Sequence, residues 1–127
     1  MKALTVAVAV WLLAGMAAAE DPAATFQGFC DEWMQSLLAR QSDSLSHIQW
    51  ETDAGGVRGD YVGYKPGHTC ITKTGTESAP VGKIIYREVR YEKQGGTVAE
   101  AEQSPAKAVE TTEVTEIFRY AGGKWIY

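Results

Sequence analysis

The chain has 127 residues, with 12 lysines and arginines against 16 aspartates and glutamates, a net charge of −4, and 45% hydrophobic residues. That length suits a single domain. The acidic balance, with no basic stripe, argues against nucleic acid and anionic membrane surfaces as partners, because such a chain gains nothing from counterion release.

The first element is an export signal. Lys2 supplies a positive start, Ala3 to Leu13 form an apolar run broken only by Thr5, and Ala17 and Ala19 hold the small-residue positions of an A-x-A cleavage site. Residues 1–19 therefore read as a cleaved signal peptide. The alternative, a membrane anchor, has only the 17 residues from Ala3 to Ala19 and no following basic cluster. Cleavage would leave residues 20–127 as one soluble periplasmic or secreted domain of net charge −5, since Lys2 is lost. Two cysteines remain, Cys30 and Cys70. In an oxidising compartment the simplest reading is a disulfide. A metal pair with His47 or His68 and a reactive thiol are the competing readings, and neither has the close spacing of a zinc site.

Asp21-Pro22 is a helix entry, a capping side chain followed by proline at the first helical position. Phe26, Phe29, Cys30, Trp33, Leu37 and Leu38 then recur at helical spacing, which predicts one amphipathic helix fading at Gln41 to Ser44. Strand character follows. His47 to Glu51 is a short candidate, Asp53 to Gly56 a turn, and Val57 to Tyr64 a second strand. Lys65-Pro66-Gly67-His68 fits a type II turn, across which Thr69 to Lys73 would pair back. After the polar segment Thr74 to Pro80, Val81 to Lys93 is a long strand, with Thr97 to Ala101 as its hairpin partner beyond Gly95-Gly96. Pro105 breaks or bulges the sheet, Val109 to Tyr120 is another long strand, and Gly122-Gly123 leads into Lys124 to Tyr127. One helix followed by five to seven antiparallel strands is an α+β layout, the helix covering a face of a curved sheet.

The stretches HIQWETDAGGVRGDY and TEVTEIFRYAGGKWIY, behind an N-terminal helix, resemble the nuclear-transport-factor-2-like superfamily of cystatin-like folds. Trp50, Gly56, Val57, Gly59, Phe118, Arg119, Gly123, Lys124 and Trp125 stand at its matching places. Gly63, Pro66 and Gly67 forbid the long helix that the superfamily carries next, which leaves a simpler cystatin-like sheet as the alternative. The resemblance implies a cavity between helix and sheet lined by Trp33 and Trp50, with Tyr61 or Tyr64 nearby. The competing expectation is that these aromatics are core.

Two charged positions stand out. Arg87 lies between Ile85 and Val89, and Glu116 between Val114 and Phe118. If those apolar sets face inward, both charges do too, pairing with each other or orienting a ligand. His47, His68, Asp53 and Asp60 are the candidates for acid–base chemistry, although both aspartates sit at glycine turns where Asp serves the backbone. No Ser-His-Asp order, metal motif or phosphate loop occurs, so neither cofactor nor metal is expected. The leading expectation is a non-catalytic module that binds a small ligand or a protein. The alternatives are a cofactor-free cavity enzyme and, more weakly, an enzyme inhibitor. Because Ile84, Tyr86, Ile117 and Tyr120 cannot all lie under one helix, a homodimer is a further expectation.

Overall fold

A computed structural model describes residues 21–74 and 79–127. The expected signal peptide, residues 1–19, lies outside these residues, as does most of the polar segment before Pro80. Helix α1 spans Pro22–Ser46. Asp21 caps it by accepting the Ala23 amide at 3.1 Å, with Pro22 in the first turn as expected. Six strands form one antiparallel sheet: β1 Glu51–Asp53, β2 Gly56–Tyr64, β3 Thr69–Lys73, β4 Val81–Gly95, β5 Lys107–Ala121 and β6 Lys124–Ile126. A short helix α2, Val98–Gln103, follows β4. The fold is the expected α+β arrangement, α1 packed on a curled antiparallel sheet.

Three local expectations are corrected. First, β3 does not fold back on β2. Both pair with the same edge of β4, β2 along Glu88–Gly95 and β3 along Val81–Ile85. The Lys65 amide donates to the Arg87 carbonyl at 3.0 Å, so the chain stays attached to β4 as it enters the Pro-Gly segment. Four residues there, 65–68, stand opposite two of β4, and the excursion bulges without reversing direction. Gly67, at φ +92°, supplies its left-handed step.

Second, only Glu51 of the segment His47 to Glu51 joins the sheet. His47 is the C-cap of α1, and Ile48 and Trp50 instead lie against β2 at Gly59, where any Cβ would collide with both side chains. Third, Thr97 to Ala101 is the start of α2 rather than a returning strand. The Thr97 hydroxyl accepts the Glu100 amide at 3.2 Å while the Glu100 carboxylate accepts the Gly96 amide at 2.9 Å. This reciprocal capping makes even a six-residue helix hold.

Register and alternation sort the side chains into two faces. Toward α1 point Val62 and Tyr64 of β2, Cys70 of β3, Gly82, Ile84 and Tyr86 of β4, and Val114, Glu116 and Phe118 of β5. The core forms there: Phe26, Cys30, Leu37, Tyr64, Ile84, Tyr86, Phe118 and Trp125 are buried together. The sheet edge at β2 is closed by α1 itself, with Ser44 Oγ accepting the Val62 amide at 3.0 Å and Gln41 Oε1 the Tyr64 amide at 2.8 Å. On the opposite face, α2 covers one end. Gly95 is pressed against the Ala101 backbone, and Val57, Val89 and Ala101 are buried. The opposite end of that face has no such cover among the described residues. Among the described residues the edge of β5 is free from Lys107 to the point where β6 joins at Arg119.

Candidate interaction surface

Aromatic rings fill the space beneath α1. Phe26 contacts Trp125 with centroids 4.6 Å apart, and Phe118 meets Phe29 edge-on at 4.8 Å and Trp33 at 4.9 Å. Trp33 also stacks on Tyr127 at 6.1 Å. Each such pair adds to the area it buries. Trp33 is thus built into the core's margin, and its indole N–H is buried without a partner among the described residues.

The other residues singled out from the sequence are dispersed. Trp50 lies against Gly59 on the face away from α1, where Tyr61 also sits, stacked on Tyr91 at 5.2 Å. Trp33 and Trp50 therefore do not share a cavity wall. Arg87 and Glu116 are separated by the sheet. Glu116 is the cross-strand partner of Ile84 on the helix side, whereas Arg87 pairs with Glu113 on the other side and is exposed. Glu116 accepts the Tyr86 hydroxyl at 3.1 Å. Burial, reinforced by that bond and the carboxylate charge, pushes the Tyr86 phenol well above its ordinary value. The same carboxylate raises Tyr127 by hydrogen bonding and charge.

Three of the four acid–base candidates are likewise taken up in surface pairs, and the fourth, His68, is exposed just before β3. His47 meets Asp43 at 3.3 Å, with both side chains exposed. Asp53 accepts the Gly55 amide at 2.8 Å and pairs with Arg58 at 3.1 Å, the structural role that turn aspartates play. Asp60 holds Arg90 at 2.7 Å. A cleft of about 490 Å³ opens between the end of α1 and β2, lined by His47, Gln49, Glu51, Arg58, Asp60 and Glu92. It is polar and open, and none of its titratable side chains is buried. Cys30 and Cys70 are bonded, their Cα atoms 6.5 Å apart, which joins α1 to β3 as expected.

The uncovered end of the outer face is where chemistry accumulates. Three rows cross β3, β4 and β5: Lys73–Val81–Arg119, Ile71–Lys83–Ile117 and Thr69–Ile85–Thr115, followed by Arg87–Glu113 on β4 and β5. Ile117 is 58% exposed and Ile71 38%. Four cations and a single described acid, Glu113, thus frame four aliphatic side chains on a chain whose overall charge is negative. The helix-side positions of β4 and β5 have the opposite bias, with Glu88, Glu92, Glu110 and Glu116 against Arg90 and Lys107. The sequence carried a signal for this surface in the odd-numbered positions of its three strands. Reading them together needs the register.

Comparison of the chain with protein-family models, with curated proteins and with solved structures yields no match.

Proposed function

We propose that this chain is an exported, non-catalytic interaction module that binds an acidic protein partner through the outer face of β3, β4 and β5. The observation that carries the reading is charge segregation: Lys73, Lys83, Arg87 and Arg119 ring exposed Ile71 and Ile117 on an otherwise acidic molecule. Complementary charge of this kind steers encounter and selects the partner, while the aliphatic centre supplies desolvation. The rings packed beneath α1 weigh against a cavity enzyme or a small-ligand carrier. A membrane surface suits the patch poorly, since it has no tryptophan or tyrosine to seat in an interface. Export is supported by the segment ending at Ala19 and by the disulfide, and no helix among the described residues is long and apolar enough to cross a membrane. Resemblance to the nuclear-transport-factor-2-like superfamily is compatible with this role, because that superfamily includes binding and dimerisation domains.

The test is a selection of random displayed peptides on the purified protein. Recovered binders should alternate Asp or Glu with apolar residues, and their affinity should fall with added salt. The double reversal Lys73→Glu/Arg119→Glu should abolish binding. The control Arg40→Glu/Lys107→Glu, which changes net charge equally, should not. Binding that survives the first reversal refutes the proposal, as does a preference for heparin or for anionic vesicles. Self-association in sedimentation that Ile117→Glu removes would make the face a homodimer interface instead.

A further inference from the structure

We infer that Cys30, Cys70 and His68 form a metal site that exists only when the disulfide is reduced, and that it takes zinc or a cation of similar softness. The inference rests on the convergence of three ligand atoms from two elements. Cys70 is the second residue of β3, and His68 ends the Pro-Gly segment just before that strand, which returns its ring to the same place. Helix α1 brings Cys30 down onto them, and the two sulfurs and an imidazole nitrogen all lie within 4.8 Å of one another. A tetrahedral zinc with bonds of about 2.3 Å to sulfur and 2.0 Å to nitrogen holds its ligands roughly 3.5–3.8 Å apart. Small side-chain rotations bridge the difference once the sulfur–sulfur bond is gone.

The surroundings suit such a site. Cys30 is fully buried, Cys70 half-buried and His68 exposed, giving a dry thiolate wall and an open front. Three protein ligands leave the fourth position to water. In the oxidised protein the sulfurs are spent on each other, and a disulfide sulfur is a poor ligand. Reduction by a dithiol transfers two electrons and two protons: the Cys30–Cys70 bond breaks, both sulfurs become thiols, and the reductant leaves as a disulfide. Zinc then displaces the two thiol protons and accepts the neutral imidazole lone pair, with no change in its own oxidation state. A covalent staple between α1 and β3 is replaced by a coordinate one at the same place.

The experiment uses the whole purified protein, reduced with dithiothreitol, freed of reductant under anaerobic conditions and titrated with cobalt(II) in zinc's stead. One equivalent should produce the visible bands of a tetrahedral ion together with thiolate charge-transfer absorption, and zinc should erase both. His68→Ala should lower the affinity by more than the roughly 10–100-fold that loss of a supporting partner costs. The oxidised protein should show neither band. Circular dichroism is recorded in parallel. If reduction loosens the fold, cobalt should restore it in the original protein and not in His68→Ala. The inference is overturned if the reduced protein takes up no stoichiometric metal. Equal affinity and spectrum in His68→Ala, folded or not, would also overturn it, since two thiolates alone would then account for binding.

Discussion

Gly82 is the point at which the core tolerates no addition, and Gly82→Ala measures how tightly it is packed. The residue lies on β4 between Thr72 of β3 and Phe118 of β5, facing α1, and its φ is not positive, so alanine brings no backbone strain. A Cβ there would sit 2.8 Å from Phe26 Cδ2 and nearer still to Cε2 and Cζ, whereas carbons rest at about 3.5–4.0 Å. The ring must retreat by roughly 1 Å. It has nowhere to go, being fully buried between Trp125, Phe29 and Phe118. Overpacking of this sort costs about 1–3 kcal/mol, and replacing glycine within a strand returns roughly 0.5–1 kcal/mol. The net loss should fall between about 0 and 2.5 kcal/mol, visible as a lowered urea midpoint at unchanged slope. Phe26→Leu shortens the side chain and opens space. The double variant should therefore lose at least about 1 kcal/mol less than the sum of the single changes. A stabilised Gly82→Ala, or strict additivity with Phe26→Leu, would show that the ring has room and refute the packing argument.

Replacing both cysteines by alanine should cost about 4 kcal/mol, because the bond spans a sequence separation of 40 residues and constrains the unfolded chain accordingly, and calorimetry would read it. Gln41→Ala strips the acceptor from the Tyr64 amide and should cost roughly 1 kcal/mol, with faster hydrogen exchange at that amide and little change in β5. Arg87→Met should change stability by no more than about 0.5 kcal/mol and should add to Glu116→Gln without coupling, as expected of side chains on opposite faces. Coupling beyond experimental error would contradict that assignment. At high pH the sign follows from the raised phenols: Tyr86 and Tyr61 ionise more readily in the unfolded chain, so stability is intact below about pH 10 and falls as pH rises beyond it. The slope should approach roughly 1.4 kcal/mol per pH unit for each tyrosine that stays protonated when folded. Ultraviolet titration in which Tyr86 ionises with the exposed tyrosines, before unfolding, would be the contrary result.

Much of the fold was legible where the signal was local and repeated. The Asp21-Pro22 cap, the stripe from Phe26 to Leu37, the two long β-branched strands and the cysteine pair each carried their own physics. The Pro-Gly segment at residues 66–67 misled because turn chemistry says that the chain bends, not whether it reverses. Only the 15-residue length of β4 lets β2 and β3 lie end to end along one edge. Helix α2 was too short for periodicity to register, although Thr97 and Glu100 had the spacing of a capping box. The candidate site was least legible. Reading β4 or β5 alone shows alternation but not which set of one strand shares a face with which set of the other. The register Ile84↔Glu116 and Arg87↔Glu113 decides that, and it is a property of the pair.

The free edge of β5 has a consequence for the company this molecule keeps. Such an edge offers unpaired amides and carbonyls to any extended chain, and its Val, Thr and Ile residues favour the conformation needed. Glu110, Glu113 and Glu116 punctuate it at intervals of three. Suppose two copies met there as antiparallel neighbours, related by a two-fold axis through Glu113. Each Glu113 would face its twin, and Glu110 of each copy would face Glu116 of the other. Like charges placed directly opposite destabilise a strand pair. In that register the three glutamates oppose self-pairing of the edge, whereas a foreign strand carrying lysine or arginine at those places would meet complementary charge.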